Sequence, residues 1–64
     1  MKIHLRAARV NANLIQKEAA ERLGISKSTL ASYEAYRTKP SIEMAKKMAS
    51  LYGLSVDNLI FFAD

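Results

Sequence analysis

The chain has 64 residues, half of them hydrophobic, with no cysteine and a formal net charge of +4. Its length suits one small domain, spanning residues 1–64, whose core must come from apolar packing without a disulfide; cysteine-based zinc sites and thiol catalysis are excluded. The basic surplus favours a polyanionic partner, either nucleic acid or an anionic membrane surface. No apolar run of about 18 residues is present to span a bilayer. The N-terminus, MKIHLRAARV, is too broken by charge for a signal peptide's apolar core, so a cytoplasmic location is expected.

Taken in chain order, the pattern predicts an all-α, compact five-helix bundle with no strands. A first helix is expected over about Lys2–Val10, with Ile3, Ala7 and Val10 at helical spacing and Leu5 beside them. Asn11 and Asn13 then favour a turn. A second helix is expected over Gln16–Leu23, with Ala19, Ala20 and Leu23 facing inward. The pairs Glu18/Arg22 and Lys17/Glu21 support its solvated side, and Gly24 ends it. A third helix is capped by Ser26 and runs to about Ala35, with Leu30 and Tyr33 inward. Lys39-Pro40 breaks the chain again. A fourth helix is capped by Ser41 and runs to about Tyr52, with Met44, Ala45, Met48, Ala49, Leu51 and Tyr52 as a broad apolar face. Gly53 ends it, and a short fifth helix is expected after Ser55, carrying Val56, Leu59 and Ile60.

The stretch from Gln16 to Arg37 has the register of a helix-turn-helix. Gly24-Ile25-Ser26 makes a three-residue turn between two short helices. Ala20 is small where the second helix must cross close, and Gly24 permits the sharp turn. Ile25, Leu30 and Tyr33 then pin the second helix to the first.

These residues resemble the Cro and phage-repressor type of helix-turn-helix, the XRE family, over nearly the whole chain. The likeness is carried by Leu5-Arg6, Arg9, Gln16, Ala20, Leu23-Gly24-Ile25-Ser26, Tyr33-Glu34, Arg37, Pro40-Ser41, Leu51, Gly53-Leu54-Ser55 and Leu59. It implies a lambda-repressor-like fold and a sequence-specific duplex-DNA-binding transcriptional regulator. It further implies that Gln16 contacts phosphate and braces the recognition helix, and that Arg9 and Glu34 form a structural ion pair. As an exposed pair, that bridge would contribute only about 0–1 kcal/mol.

The reading face can be derived from the residues themselves. With Leu30 and Tyr33 inward, Lys27, Ser28, Ala31, Ser32 and Ala35 lie opposite, a face with no carboxylate to repel phosphates. In this docking mode the second helix of the motif enters the major groove, and its N-terminal residues meet base edges. Lys27, Ser28 and Ser32 are therefore base-contact candidates, and Ala31 suits a thymine methyl. Phosphate contact is the alternative for Lys27, and plain solvation for the serines. Gln16, Lys17, Thr29, Tyr36, Arg37 and Lys39 are phosphate-contact candidates. Thr29 has the alternative of supporting the helix start, Tyr36 of packing, and Arg37 of reaching the minor groove. Lys46 and Lys47, beside Glu43, read as solvated charges.

Two positions depart from the family pattern. Tyr36 stands where glycine is usual, and a left-handed backbone is costly for tyrosine, so the loop from Ala35 to Pro40 is expected to differ, for instance by extending the helix. Ile15 replaces a capping serine or threonine, which leaves Asn13 as the expected cap of the second helix.

No catalytic constellation is legible, and no enzyme activity, cofactor or metal is expected: His4 is the single histidine, and the acidic residues are scattered. The apolar run Leu59-Ile60-Phe61-Phe62 suggests a homodimer joined through Ile60, Phe61 or Phe62; the alternative folds Phe61 and Phe62 back onto helix one. Two rival functions remain open. One is a protein-interaction module of antitoxin or adaptor type, whose chief partner is another protein. The other is non-specific electrostatic binding to nucleic acid. No sensing or peptidase segment comes after the motif, so control by the chain's own concentration is expected.

Overall fold

The computed structural model describes residues 1–62, so Ala63 and Asp64 of the expected 1–64 domain lie outside the described residues. Four α-helices form the body: α1 (Leu5–Asn11), α2 (Gln16–Leu23), α3 (Lys27–Glu34) and α4 (Ile42–Tyr52). The expected fifth helix is instead a 3₁₀ turn, Val56–Asn58, leading into an extended pair, β2 (Leu59–Ile60). β2 runs parallel to β1 (Ile3–His4), with Ile3 opposite Leu59 and His4 opposite Ile60. The expectation of no strands is corrected accordingly. Leu59 is one of the most buried residues of the chain, and extension rather than coiling brings its side chain under α1.

The first helix also needs correction. It starts at Leu5, not Lys2, so Ile3 lies outside α1 and out of phase with its apolar positions. The buried positions of α1 are Leu5, Ala8 and Arg9, whereas Val10 is 54% exposed. An arginine occupies a core-facing position because its charge is neutralised across the core by Glu34.

Leu5, Ala8, Ala19, Ala20, Leu23, Leu30, Met48, Ala49, Tyr52 and Leu59 form one continuous core, with Leu14 closing it under the α1–α2 turn. Ile25, Tyr33, Met44, Leu51, Leu54 and Phe61 pack against its edges. Small side chains, Ala8, Ala19, Ala20 and Ala49, let the helices approach closely, while Leu5, Leu23, Leu30 and Met48 fill the space between them. Fully burying one such large apolar side chain stabilises a fold by about 1.5–3 kcal/mol.

All four helices stop in the same way. The amide beyond each end donates back to a carbonyl five residues earlier: Leu14 to Arg9, Ile25 to Ala20, Arg37 to Ser32 and Leu54 to Ala49, at 3.2, 3.0, 2.9 and 2.9 Å. This closure requires one left-handed residue just before the donor. Those residues are Asn13, Gly24, Tyr36 and Gly53, with φ of 60°, 74°, 61° and 72°. Tyr36 therefore adopts the conformation expected to be too costly for it, and α3 is not extended. Asn13 likewise closes α1 and does not cap α2. The residue preceding α2 is Ile15, whose amide donates to Glu18 Oε1 at 3.1 Å. That contact occupies Glu18, and the expected Glu18–Arg22 and Lys17–Glu21 pairs are absent among the described residues, where Arg9–Glu34 is the single ion pair.

Candidate nucleic-acid interface

The start of α3 is fixed by Ser26. Its hydroxyl accepts from the Thr29 amide at 3.0 Å and lies 2.8 Å from the Thr29 hydroxyl. Thr29 is thereby tied to the helix start. From this anchor Lys27 and Ser28 project as exposed side chains, Ala31 and Ser32 lie half-buried one turn later, and Ala35 is exposed beyond them. Leu30 points the other way and is wholly buried. No acidic residue occupies the first turn of α3. The helix thus presents small or basic side chains outward from a rigidly held inner edge.

Glu34, at the far end of α3, is the hub that orients this helix. Its Oε2 accepts from Arg9 Nε at 2.7 Å, and its Oε1 accepts from Arg9 Nη2 at 3.2 Å and from Gln16 Nε2 at 3.1 Å. Arg9 also donates from Nη1 to the Leu14 carbonyl at 2.9 Å, so one guanidinium joins α1, the α1–α2 turn and α3. The two side chains are 10% and 6% exposed. This is a buried, bidentate bridge with every oxygen matched, unlike the exposed pair whose small worth bounded the expectation.

Tyr52 sits beneath this hub. Burial pushes its hydroxyl up to about 12, the Glu34 carboxylate adds to the rise, and the Arg9 guanidinium opposes it. The Tyr52 oxygen is buried and has no hydrogen-bond partner among the described residues.

The loop after α3 carries the remaining candidates. Arg37 and Lys39 are exposed. The Lys39 ammonium lies over the Phe62 ring, 4.9 Å from its centroid. The Tyr36 hydroxyl turns towards the β1–β2 pair: it donates to the Ile60 carbonyl at 3.3 Å and lies 2.6 Å from His4 Nδ1. No sequence pattern signals the His4 partnership; only the tyrosine in place of the family's usual glycine sets this position apart. Lys17 is exposed on the first turn of α2, while Gln16 beside it is half-buried against Glu34. Lys47, expected as a solvated charge, donates to the Leu23 carbonyl at 3.2 Å and so helps close α2.

The three dimer candidates differ in their surroundings. Ile60 is half-buried, with its carbonyl holding Tyr36. Phe61 packs against the core edge. Phe62 is 58% exposed. Among the described residues, no three His, Asp or Glu side chains converge as metal ligands would, and no helix is long and apolar enough to cross a membrane.

Two short helices crossing at a glycine turn, the second braced from behind and free of acids in front, define a helix-turn-helix nucleic-acid-binding domain. The helix-turn-helix family model matches residues 5–59, and the chain belongs to that family, in its Cro and phage-repressor branch. It is 31% identical over its full length to an uncharacterised helix-turn-helix-type transcriptional regulator of Methanocaldococcus jannaschii, covering 97% of that protein. It is 39% identical over 56 residues to the helix-turn-helix-type transcriptional regulator ImmR of Bacillus subtilis, and 34% over 56 residues to the cryptic phage CTXphi transcriptional repressor RstR of Vibrio cholerae. Each alignment covers 88% of this chain, but only 44% and 50% of the Bacillus and Vibrio relatives, so the chain spans about half their length.

Proposed function

We propose that this DNA-binding transcriptional regulator is a small cytoplasmic repressor that acts as a single domain, inserts α3 into the major groove and binds as a homodimer. The observation that carries the reading is the Glu34 hub. It holds α3 to α1 and α2 through Arg9 and Gln16, at 2.7 and 3.1 Å, and leaves the Lys27–Ser32 face outward. A rigidly mounted helix is what base discrimination needs, because a bidentate or close apolar contact is lost when the helix shifts by an ångström or so.

In this reading Lys27 meets guanine O6 or N7, Ser28 and Ser32 exchange hydrogen bonds with base edges, and Ala31 meets a thymine methyl. Gln16, Lys17, Thr29, Arg37 and Lys39 hold phosphates on either side, and Tyr36 supports the loop from within. With one long polar side chain on the reading face, specificity also draws on DNA shape and on the spacing of two half-sites. The exposed Phe62, with Ile60 and Phe61 behind it, supplies the seam for the second copy. The exposed Phe62 ring, at 58%, also favours a second reading, in which that seam takes a different protein.

Selection of bound duplexes from a random pool tests this. The expected product is a palindrome with half-sites about one helical turn, 34 Å, apart. A half-site without symmetry, together with a monomer in sedimentation at high micromolar concentration, would remove the dimer. A pool that stays random would remove base reading and leave non-specific electrostatic binding.

A further inference from the structure

Beside the reading face lies an open groove of about 440 Å³, lined by Arg6, Arg9, Gln16, Ala31, Glu34 and Ala35. Its floor is electrically closed: both Glu34 oxygens are occupied by Arg9 and Gln16. One wall is α3 with the residue that caps its end, where Ala31 and Ala35 stand one turn apart and offer only methyl groups. The rim is Arg6, on α1, exposed and with no carboxylate within 4.0 Å among the described residues. Its positive charge is therefore uncompensated at an opening that shares Ala31 with the reading face.

Local helix stability does not explain an arginine here. Arg6 is the second residue of α1, whose first turn contains no acidic residue. A cation at a helix start is opposed by the helix dipole, which favours Asp or Glu there. Nor does packing explain it, since Arg6 is exposed. What fits is an anion arriving from outside, along the edge of α3.

We infer that Arg6 contacts a backbone phosphate of bound duplex DNA, so that the footprint extends beyond the helix-turn-helix onto α1. When α3 lies in the major groove, the sugar-phosphate strand bordering that groove passes the Ala31–Ala35 wall. The methyl groups let it come close, and the Arg6 guanidinium spans the remaining gap with a charge-assisted hydrogen bond. Lys17, Arg37 and Lys39 hold the backbone from α2 and from the loop; Arg6 holds it from a third element. This inference rests on the DNA-binding reading above.

The test is binding of a mixed-sequence duplex, monitored by fluorescence anisotropy between about 50 and 200 mM salt, where phosphate contacts dominate. Arg6→Gln should lower the slope of log affinity against log salt by about 0.9, the value of one neutralised phosphate, and weaken binding about eight-fold at 0.1 M salt. Arg6→Lys should keep the wild-type slope. Lys46→Ala, which removes the same charge from the middle of α4, should also leave it unchanged. An unchanged slope for Arg6→Gln, with a helical circular dichroism spectrum, overturns the assignment and leaves the DNA-binding reading standing. An equal drop for Lys46→Ala overturns it as well, because net charge would then be the cause. Failure of the wild-type chain to bind any duplex removes both readings.

Discussion

The Tyr36 hydroxyl lies 2.6 Å from His4 Nδ1, joining the loop after α3 to the extended segment before α1. The two rings meet edge-on, with centroids 5.7 Å apart. The same hydroxyl donates to the Ile60 carbonyl, so one tyrosine ties that loop to both members of the β1–β2 pair. Tyr36 takes a left-handed backbone, φ 61°, that glycine would adopt at lower cost. The contacts made by its side chain offset that strain.

Three substitutions at Tyr36 separate the two effects. Tyr36→Phe keeps the ring and loses the hydroxyl bonds, at a cost of about 1–2 kcal/mol. Tyr36→Ala keeps the backbone strain and loses every contact, so it should be the least stable of the three. Tyr36→Gly should exceed Tyr36→Ala by about 1 kcal/mol, because it relaxes the left-handed residue. Urea denaturation gives the order, and equal stability of the alanine and glycine variants would show that no strain is held there.

Breaking the Arg9–Glu34 bridge from one side should be costly. The pair is buried, and loss of one partner strands the other charge, typically at about 3–5 kcal/mol. Arg9→Ala or Glu34→Ala should therefore unfold a large fraction of this small domain at room temperature. The double change Arg9→Met with Glu34→Leu should recover much of the loss, since two apolar groups need no partners. Circular dichroism through a denaturant series measures all of these, and single-variant losses below about 1 kcal/mol would make the bridge no stronger than an exposed one.

Tyr52 predicts an alkaline limit. Its hydroxyl titrates at about 12 in the fold, above the ordinary 10.0. Above pH 10 the unfolded chain therefore releases this proton while the folded chain still holds it. Ionisation of this group therefore leaves stability unaffected below pH 10 and lowers it as pH rises from 10 towards 12. Tyrosinate absorbance should show a late step, and Tyr52→Phe should remove that step and flatten the decline. Tyr52→Phe should be neutral or stabilising at pH 7, because it deletes a buried hydroxyl without a partner.

The proposed base contacts should separate from the proposed phosphate contacts by sequence dependence. Lys27→Ala or Ser32→Ala should cost about 1–3 kcal/mol on the selected site and relax preference at one base position. Lys39→Ala should weaken all duplexes about equally and reduce the salt slope by about one contact. Competition binding against single-base variants of the site distinguishes these outcomes; Lys27 and Ser32 variants with unchanged affinity on every duplex would sink the base-contact assignment.

Much of the helix-turn-helix was legible because its signals are local. The Ser26 cap, the glycine at the end of α2 and the inward triplet Ala19, Ala20 and Leu23 act within a turn or two of chain, where spacing alone carries the information. The same holds for Ser41, whose hydroxyl accepts from the Met44 amide, and for Gly53 at the end of α4. Both ends of the fold depart from the helical expectation for the opposite reason. Ile3 and Leu59 are extended because they pair with each other, and residues so far apart in sequence leave no periodic trace of that pairing. With Ile3 extended and outside α1, the helical spacing that would place Val10 in the core is broken, and Val10 faces solvent.

The helix-turn-helix from Gln16 to Arg37, with the small, nearly uncharged outer face of α3 proposed to read bases, is set by the sequence alone, since caps, glycines and apolar spacing act locally. The tertiary structure decided what holds that face in place. Packing α1 against α3 removed water from Arg9 and Glu34, turning a pair that would be nearly worthless at the surface into a buried bridge between the two helices. It also set His4 and Ile60 beside Tyr36, so that a tyrosine could occupy a left-handed position that backbone sterics by themselves assign to glycine.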